Sequence, residues 1–209
     1  MGWWSNYQKM RRYGVMPSQV AVSDTEMAIL DGATVTTAEL NKLDDSANAA
    51  LMTMGTGADG MDDHAYSIQK LGGLIITRIY CDIDGLNCGG TADDIIGEDG
   101  GVANCHLGQI TAAINGTIIG GKVECLEALA GGDTTISMWS AVEGTGAEDA
   151  AITGLDETEL MSGADLSATG NSAPLTALPA ADEYLYITGD TGGDAEYTAG
   201  KILITLYGV

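Results

Sequence analysis

The sequence predicts a mainly β protein whose body is an antiparallel β-sandwich, preceded by an N-terminal arm and short capped helices. Three observations carry this. The chain has 30 glycines, no phenylalanine and only 18% charged residues, a balance that suits a loop-rich β protein better than a helical bundle. From Leu74 onward, about seven short β-branched or alternating runs are separated by Gly, Asp and Asn turn signals, with no alternation of strands and helices. The hydrophobic share, 45% of 209 residues, supplies a core despite a net charge of −22.

Residues 1–21 form the arm. Trp3, Trp4, Tyr7, Met10, Tyr13, Val15 and Met16 are interleaved with Lys9, Arg11 and Arg12, and Pro17 ends any helix there. Two adjacent tryptophans either fold back onto the protein's own body or anchor in a partner, where Trp, Tyr and Arg are favoured. The candidate anchor residues are therefore Trp3, Trp4, Tyr7, Lys9, Arg11, Arg12 and Tyr13.

Residues 22–70 are expected to hold short helices and a linker. One phrase occurs twice. Ser23 with Glu26, and Thr36 with Glu39, are capping boxes, and Val22 and Val35 can staple onto Met27 and Leu40. Helices this short are not stable alone in water and need another surface. The run Gly55-Thr56-Gly57-Ala58-Asp59-Gly60-Met61-Asp62-Asp63 reads as a flexible linker, which places a domain boundary near residue 70.

Residues 71–209 are the predicted β domain. Leu74–Ile83 is a long β-branched run turned by Asp84-Gly85. His106–Ile114 is a further strand candidate, and Asn115-Gly116 is a two-residue hairpin signal leading into strands over 117–119 and 122–129. Thr134–Val142 is another strand. A third, looser cap, Asp156 with Leu155 as its staple, predicts a helix over 156–162. Two strands, 183–188 and 201–207, close the fold, joined by the Gly/Asp-rich turn 189–195. The last one is dense in apolar residues and is expected to be central, because edges usually carry charge or proline.

Charge excludes one function class. The first 23 residues hold three basic and no acidic side chains, and the remainder holds five basic and 30 acidic ones. Such a body repels phosphates, so nucleic acid is not an expected partner. No apolar run is long enough to span a membrane, and Met1-Gly2-Trp3-Trp4 leads into polar residues rather than a signal core. The expected setting is a reducing cytosol, with Cys81, Cys88, Cys105 and Cys125 as buried thiols. Their spacing lacks a CxxC, which argues against zinc. Cys105-His106 are sequence neighbours in an expected strand, so their side chains point to opposite faces and do not make a nucleophile and base. Asp82, Asp84, Asp93 and Asp94 suggest calcium loops but miss the EF-hand pattern, so solvated carboxylates are the favoured account. With 30 acidic residues, some carboxylate pair will always suit glycoside hydrolysis on paper. The Gly-Gly pairs lack the Lys-Ser/Thr of a phosphate loop. No cofactor and no catalytic residue are assigned.

The run Thr37-Ala38-Glu39-Leu40-Asn41-Lys42-Leu43-Asp44 resembles a "TAxELNxLDG" phrase found in structural proteins of tailed-phage particles, with Asp45 where Gly is usual. The C-terminal half, from Gly131-Gly132-Asp133-Thr134 through Thr198-Ala199-Gly200-Lys201-Ile202-Leu203-Ile204, resembles capsid decoration, or cement, proteins of marine phages. The resemblance implies a jelly-roll body, a non-enzymatic role on the outside of the assembled head, and the major capsid protein as partner. It also implies a homotrimer suited to local three-fold axes, and synthesis in the host bacterial cytoplasm. A head or tail fibre component is the alternative from the same phrase. A receptor- or carbohydrate-binding module presenting Trp139, Tyr184 or Tyr186 is the alternative of another class, although strand patterning favours those aromatics as core.

Overall fold

The computed structural model describes residues 52–190 and 194–209. By its contacts the chain divides into Met1–Asp44 and Asp45–Val209, and every described residue belongs to the second unit. The expected arm and the two expected capped helices fall on residues outside those described.

The body is mainly β, with antiparallel sheets. In chain order its elements are β1 (Asp63–Leu71), β2 (Leu74–Asp82), β3 (Asn87–Cys88), α1 (Ala112–Asn115), β4 (Ile118–Ala130), β5 (Thr135–Ala141), β6 (Glu157–Asp165), β7 (Ser172–Pro174), β8 (Tyr184–Gly189), β9 (Ala195–Glu196) and β10 (Ala199–Gly208). One sheet runs β1-β2-β10-β4-β7, a second β6-β5-β8, and β3 pairs with β9. Both larger sheets turn side chains into one core. Ile79, Cys81, Val123, Cys125, Ile202 and Ile204 come from the first, and Ile136, Met138, Leu160, Leu185 and Ile187 from the second. Along each of these strands the residues named are two apart, as a shared sheet face requires, and β5 and β8 also bury residues of their other face.

The strongest β-branched runs fold as expected. β2, β5 and β8 match their predicted ranges closely, and β10 sits between β2 and β4 in the sheet interior. The expected turn joining the last two strands is corrected, because β8 and β10 lie in different sheets. The segment between them crosses from one sheet to the other.

The linker expected over 55–63 is corrected as well. Met52, Met54, Ala58 and Met61 are buried in the core. Gly55 N–H donates to His106 O (2.8 Å) and Gly57 N–H to Asn104 O (3.1 Å). A Cβ on Gly55 would fall 1.9 Å from Asn104 O, so this glycine marks close backbone packing, not flexibility. β1 then pairs with β2 along its whole length, from Asp63↔Asp82 to Leu71↔Leu74. The β body therefore takes in residues 52–70, which the sequence assigned to the helix-and-linker region.

The expected strand over 106–114 is replaced by irregular chain. Leu107 N–H donates to Leu185 O (2.7 Å) and Ile110 N–H to Glu183 O (2.8 Å), so the segment follows β8 without a continuous ladder. It ends in α1, and Asn115-Gly116 closes that turn instead of a hairpin. Asn115 is buried, with Oδ1 accepting from Thr111 N–H (2.9 Å) and Nδ2 donating to Thr77 Oγ1 (3.0 Å).

The helix expected over 156–162 is a strand, β6. Asp156, the expected cap, has φ +52° and starts the strand instead. β5 and β6 pair Met138 with Met161 and Trp139 with Glu159, so Leu160 is an extra residue in a bulge. The bulge lets adjacent Leu160 and Met161 both bury. A capping box contributes about 1 kcal/mol, less than the burial of two large apolar side chains at about 1.5–3 kcal/mol each.

Candidate interaction surface

The anchor residues expected from the sequence, Trp3, Trp4, Tyr7, Lys9, Arg11, Arg12 and Tyr13, lie outside the described residues. The aromatics considered for sugar binding are described, and they form a second core. Tyr186 is fully buried with Ile95, Cys105, Ala141 and Ile152, and Trp139, Tyr184 and Leu155 pack against them. The segment 142–156 passes over this face of the three-stranded sheet. Tyr186 Oη donates to Glu143 O (2.8 Å) and accepts from Gly146 N–H (3.3 Å), and Trp139 Nε1 donates to Thr188 Oγ1 (3.0 Å). Their polar tips serve the fold.

Cys105 and His106 lie in irregular chain rather than in a strand. Cys105 Sγ donates to Val102 O (3.1 Å), and burial above all pushes its thiol up to about 12. Burial alone pushes the Cys81 thiol up to about 12. All four cysteines are buried. At pH 8 a thiol of that kind holds roughly one thiolate in ten thousand. The native protein should therefore react slowly with a disulfide reagent, and all four thiols should titrate once it is denatured without reductant. Fewer than four would mean that they oxidise.

The His106 ring lies 4.7 Å from that of Tyr184. Its Nδ1 is buried and has no hydrogen-bond partner among the described residues. Burial holds its pKa below the ordinary histidine value. Folded His106 therefore stays neutral while the unfolded chain takes up a proton, so this group's contribution is full above the ordinary histidine value and is lost as pH falls towards the folded one. The urea midpoint should drop between pH 7.5 and 5.5, and drop less in His106→Gln. An equal drop in both would assign the effect to the carboxylates.

The acidic loops are tied to backbone. Asp94 Oδ2 accepts from Thr91 N–H (2.9 Å), Asp149 Oδ1 from Gly90 N–H (3.0 Å) and Asp133 Oδ2 from Asp190 N–H (2.9 Å). Buried Glu148 accepts from Asn87 Nδ2 (3.1 Å) and Gly101 N–H (2.9 Å). Asp93 carries a raised pKa from burial first, then from Glu159, Asp190 and Asp94. Among the described residues, no three His, Cys, Asp or Glu side chains gather into a metal-binding group.

The outer face of the five-stranded sheet is different. Residues opposite each other in register share a face, and five rows cross it. The first is Asp63–Asp82–Lys201–Glu127 and the second Ala65–Tyr80–Leu203–Glu124–Ser172. The third is Ser67–Arg78–Thr205–Lys122–Pro174, the fourth Gln69–Ile76–Tyr207–Gly120, and the fifth Leu71–Leu74. Lys201 pairs with Asp82 (3.2 Å) and, more closely, with Glu127. Lys122 pairs with Glu124 (2.8 Å), and Arg78 donates to Gln69 Oε1 (2.9 Å). All four basic residues among those described, Lys70, Arg78, Lys122 and Lys201, stand on strands of this sheet. Nothing in the linear sequence signalled it, because these cations are spaced far apart along the chain.

No family model, no curated protein and no solved structure matches the chain.

Proposed function

We propose that this protein is a capsid decoration, or cement, protein of a tailed phage. It binds the outside of the assembled head and bridges neighbouring subunits of the major capsid protein, without catalysis. The observation that carries this reading is the strand order. With β1 as strand A, the larger sheet reads A-B-I-D-G and the smaller F-E-H. The chain around Ile96, whose N–H donates to Ile187 O (3.0 Å), lies beside H in place C. That order supports reading the body as the double Greek key of a jelly roll, a fold frequent in viral capsid domains. Fold alone does not fix function; the phrase at residues 37–44 supplies the link to phage particles.

The mechanism needs only contact. A protein that binds the assembled shell and not the free subunits stabilises the shell by mass action, and many weak bridges sum by multivalency. A homotrimer on local three-fold axes fits this arrangement. The test is cosedimentation of the full-length protein with DNA-filled heads and, separately, with isolated tails. Binding to heads supports the reading. Binding to tails alone favours a fibre component, and glycan binding by the isolated protein favours a carbohydrate-binding module.

A further inference from the structure

We infer that the open edge of β1 pairs with β1 of a second copy, antiparallel across a two-fold axis at Ser67. The inference does not rest on the decoration reading; on a head, the pairing would tie one decoration copy to the next. The hairpin fixes which backbone groups face outward. Leu71 and Leu74 close the two-residue turn Gly72-Gly73, and the closing pair of such a hairpin exchanges both of its hydrogen bonds. The odd-numbered residues of β1 therefore bond to β2, while His64, Tyr66, Ile68 and Lys70 turn their N–H and C=O groups to the open side. None of these groups meets a partner among the described residues. The other edges are closed or blunted. β7 has three residues and ends in Pro174. Leu160 O of β6 accepts from Thr176 N–H (2.7 Å), and β8 is followed by the chain around Ile96 and Leu107. β1 is nine residues long, without proline or bulge, which makes it the edge that invites another strand.

The side chains make a second copy the occupant. A two-fold axis perpendicular to the sheet keeps like faces on one side, so only residues of equal parity meet. With the axis at Ser67 the whole strand pairs: Asp63 with Leu71, His64 with Lys70, Ala65 with Gln69 and Tyr66 with Ile68, each twice. The His64–Lys70 and Tyr66–Ile68 pairs join the outward-facing groups, two hydrogen bonds to a pair. Tyr66 and Ile68 are the apolar residues of β1 packed against the core, and an aromatic residue opposite a β-branched one is favourable. The charges match as well. The start of β1 is acidic, with Asp59 (side chain 68% exposed) and exposed Asp62 and Asp63. Its end carries Lys70, which is exposed and makes no ion pair among the described residues. Antiparallel pairing brings each Lys70 to the acidic end of the other copy. A recess of about 390 Å³ lies there, lined by Met52, Met54, Thr56, Asp59, His64 and Tyr66. Its methionines suit the methylene stem of Lys70, and Asp59 suits the ammonium. The net charge of −22 repels two copies at a distance, but at physiological salt that field fades within about 8 Å.

Ser67→Cys in the full-length protein is the test. Across the axis the two Ser67 residues form a non-hydrogen-bonded pair with Cα atoms about 4.5 Å apart, within disulfide reach. Cys81, Cys88, Cys105 and Cys125 are buried and do not compete. Mild oxidation at physiological salt should link Ser67→Cys into dimers. Ala65→Cys, whose two copies sit about 14 Å apart in this register, should stay unlinked. A single strand pair is smaller than the roughly 800 Å² per partner of a stable interface, so sedimentation velocity of the wild type should show reversible association at micromolar or higher concentration. Lys70→Glu should weaken it at least tenfold, and adding Asp59→Lys should restore it. Should Lys70→Glu unfold, the crosslinking comparison decides alone. Linkage of Ser67→Cys no faster than that of Ala65→Cys overturns the inference, and this is also the result if another segment fills the edge. So does association indifferent to Lys70→Glu, or a loss that Asp59→Lys fails to restore. Cosedimentation with heads is a separate reading. Linked dimers that bind no heads refute the decoration role and leave the β1 pairing standing, and head binding without linkage does the reverse.

Discussion

Tyr197→Ala is expected to cost about 3–5 kcal/mol of stability, the range for removing a large buried ring and a large part of a typical domain's total. Tyr197 is fully buried, and its Oη donates to Asp133 O (2.8 Å). Its N–H donates to Leu86 O (2.8 Å). The ring lies against Gly132, where a Cβ would come within 2.7 Å of its Cζ. One side chain thus joins the turn before β5 to the crossover before β10, in a core that serves both sheets. Tyr197→Phe keeps the ring and loses only the hydrogen bond, at about 1 kcal/mol. Urea unfolding of both variants checks this. A Tyr197→Ala loss below about 1 kcal/mol would mean that the crossover does not depend on the ring.

Deleting residues 2–16 is expected to abolish attachment to heads while the body stays folded. The arm is cationic through Lys9, Arg11 and Arg12, and the rest of the chain is strongly anionic. On the decoration role proposed above, steering to acidic grooves would fall to the segment of opposite sign and weaken with salt, and Trp3 and Trp4 would supply buried contact that slows dissociation. The described core draws on Met52 and the residues after it. Sedimentation of stripped heads with full-length and truncated protein is the measurement. Undiminished occupancy by the truncated protein would move the anchor to the body. Loss of cooperative unfolding would place Trp3 and Trp4 in the protein's own core.

What the sequence determined follows from local chemistry. β2, with Leu74-Ile75-Ile76, and β10, with Ile202-Leu203-Ile204, are β-branched or apolar runs long enough to define buried strands on their own. The inner position of β10 was legible because, beyond Lys201 near its start, the strand is a run of uncharged residues without proline. The strand character of β1 was not legible, since Asp63-His64-Ala65-Tyr66-Ser67-Ile68-Gln69-Lys70-Leu71 carries only Tyr66 and Ile68 as core-facing apolar residues; an edge strand buries less and needs less. The segment after Asp156 has a sound capping pattern, yet pairing with β5 and the burial of Leu160 and Met161 outweigh a local preference of about 1 kcal/mol. Trp139, Tyr184 and Tyr186 were legible as core, but the loop that covers them was not. The outer face of the five-stranded sheet is the clearest case of what tertiary structure alone decided. Arg78, Lys122 and Lys201 lie on β2, β4 and β10, and only the order and register in which these strands hydrogen-bond bring them onto one face. Strand order is set by which faces bury together over the whole chain, and no local stretch of residues encodes that.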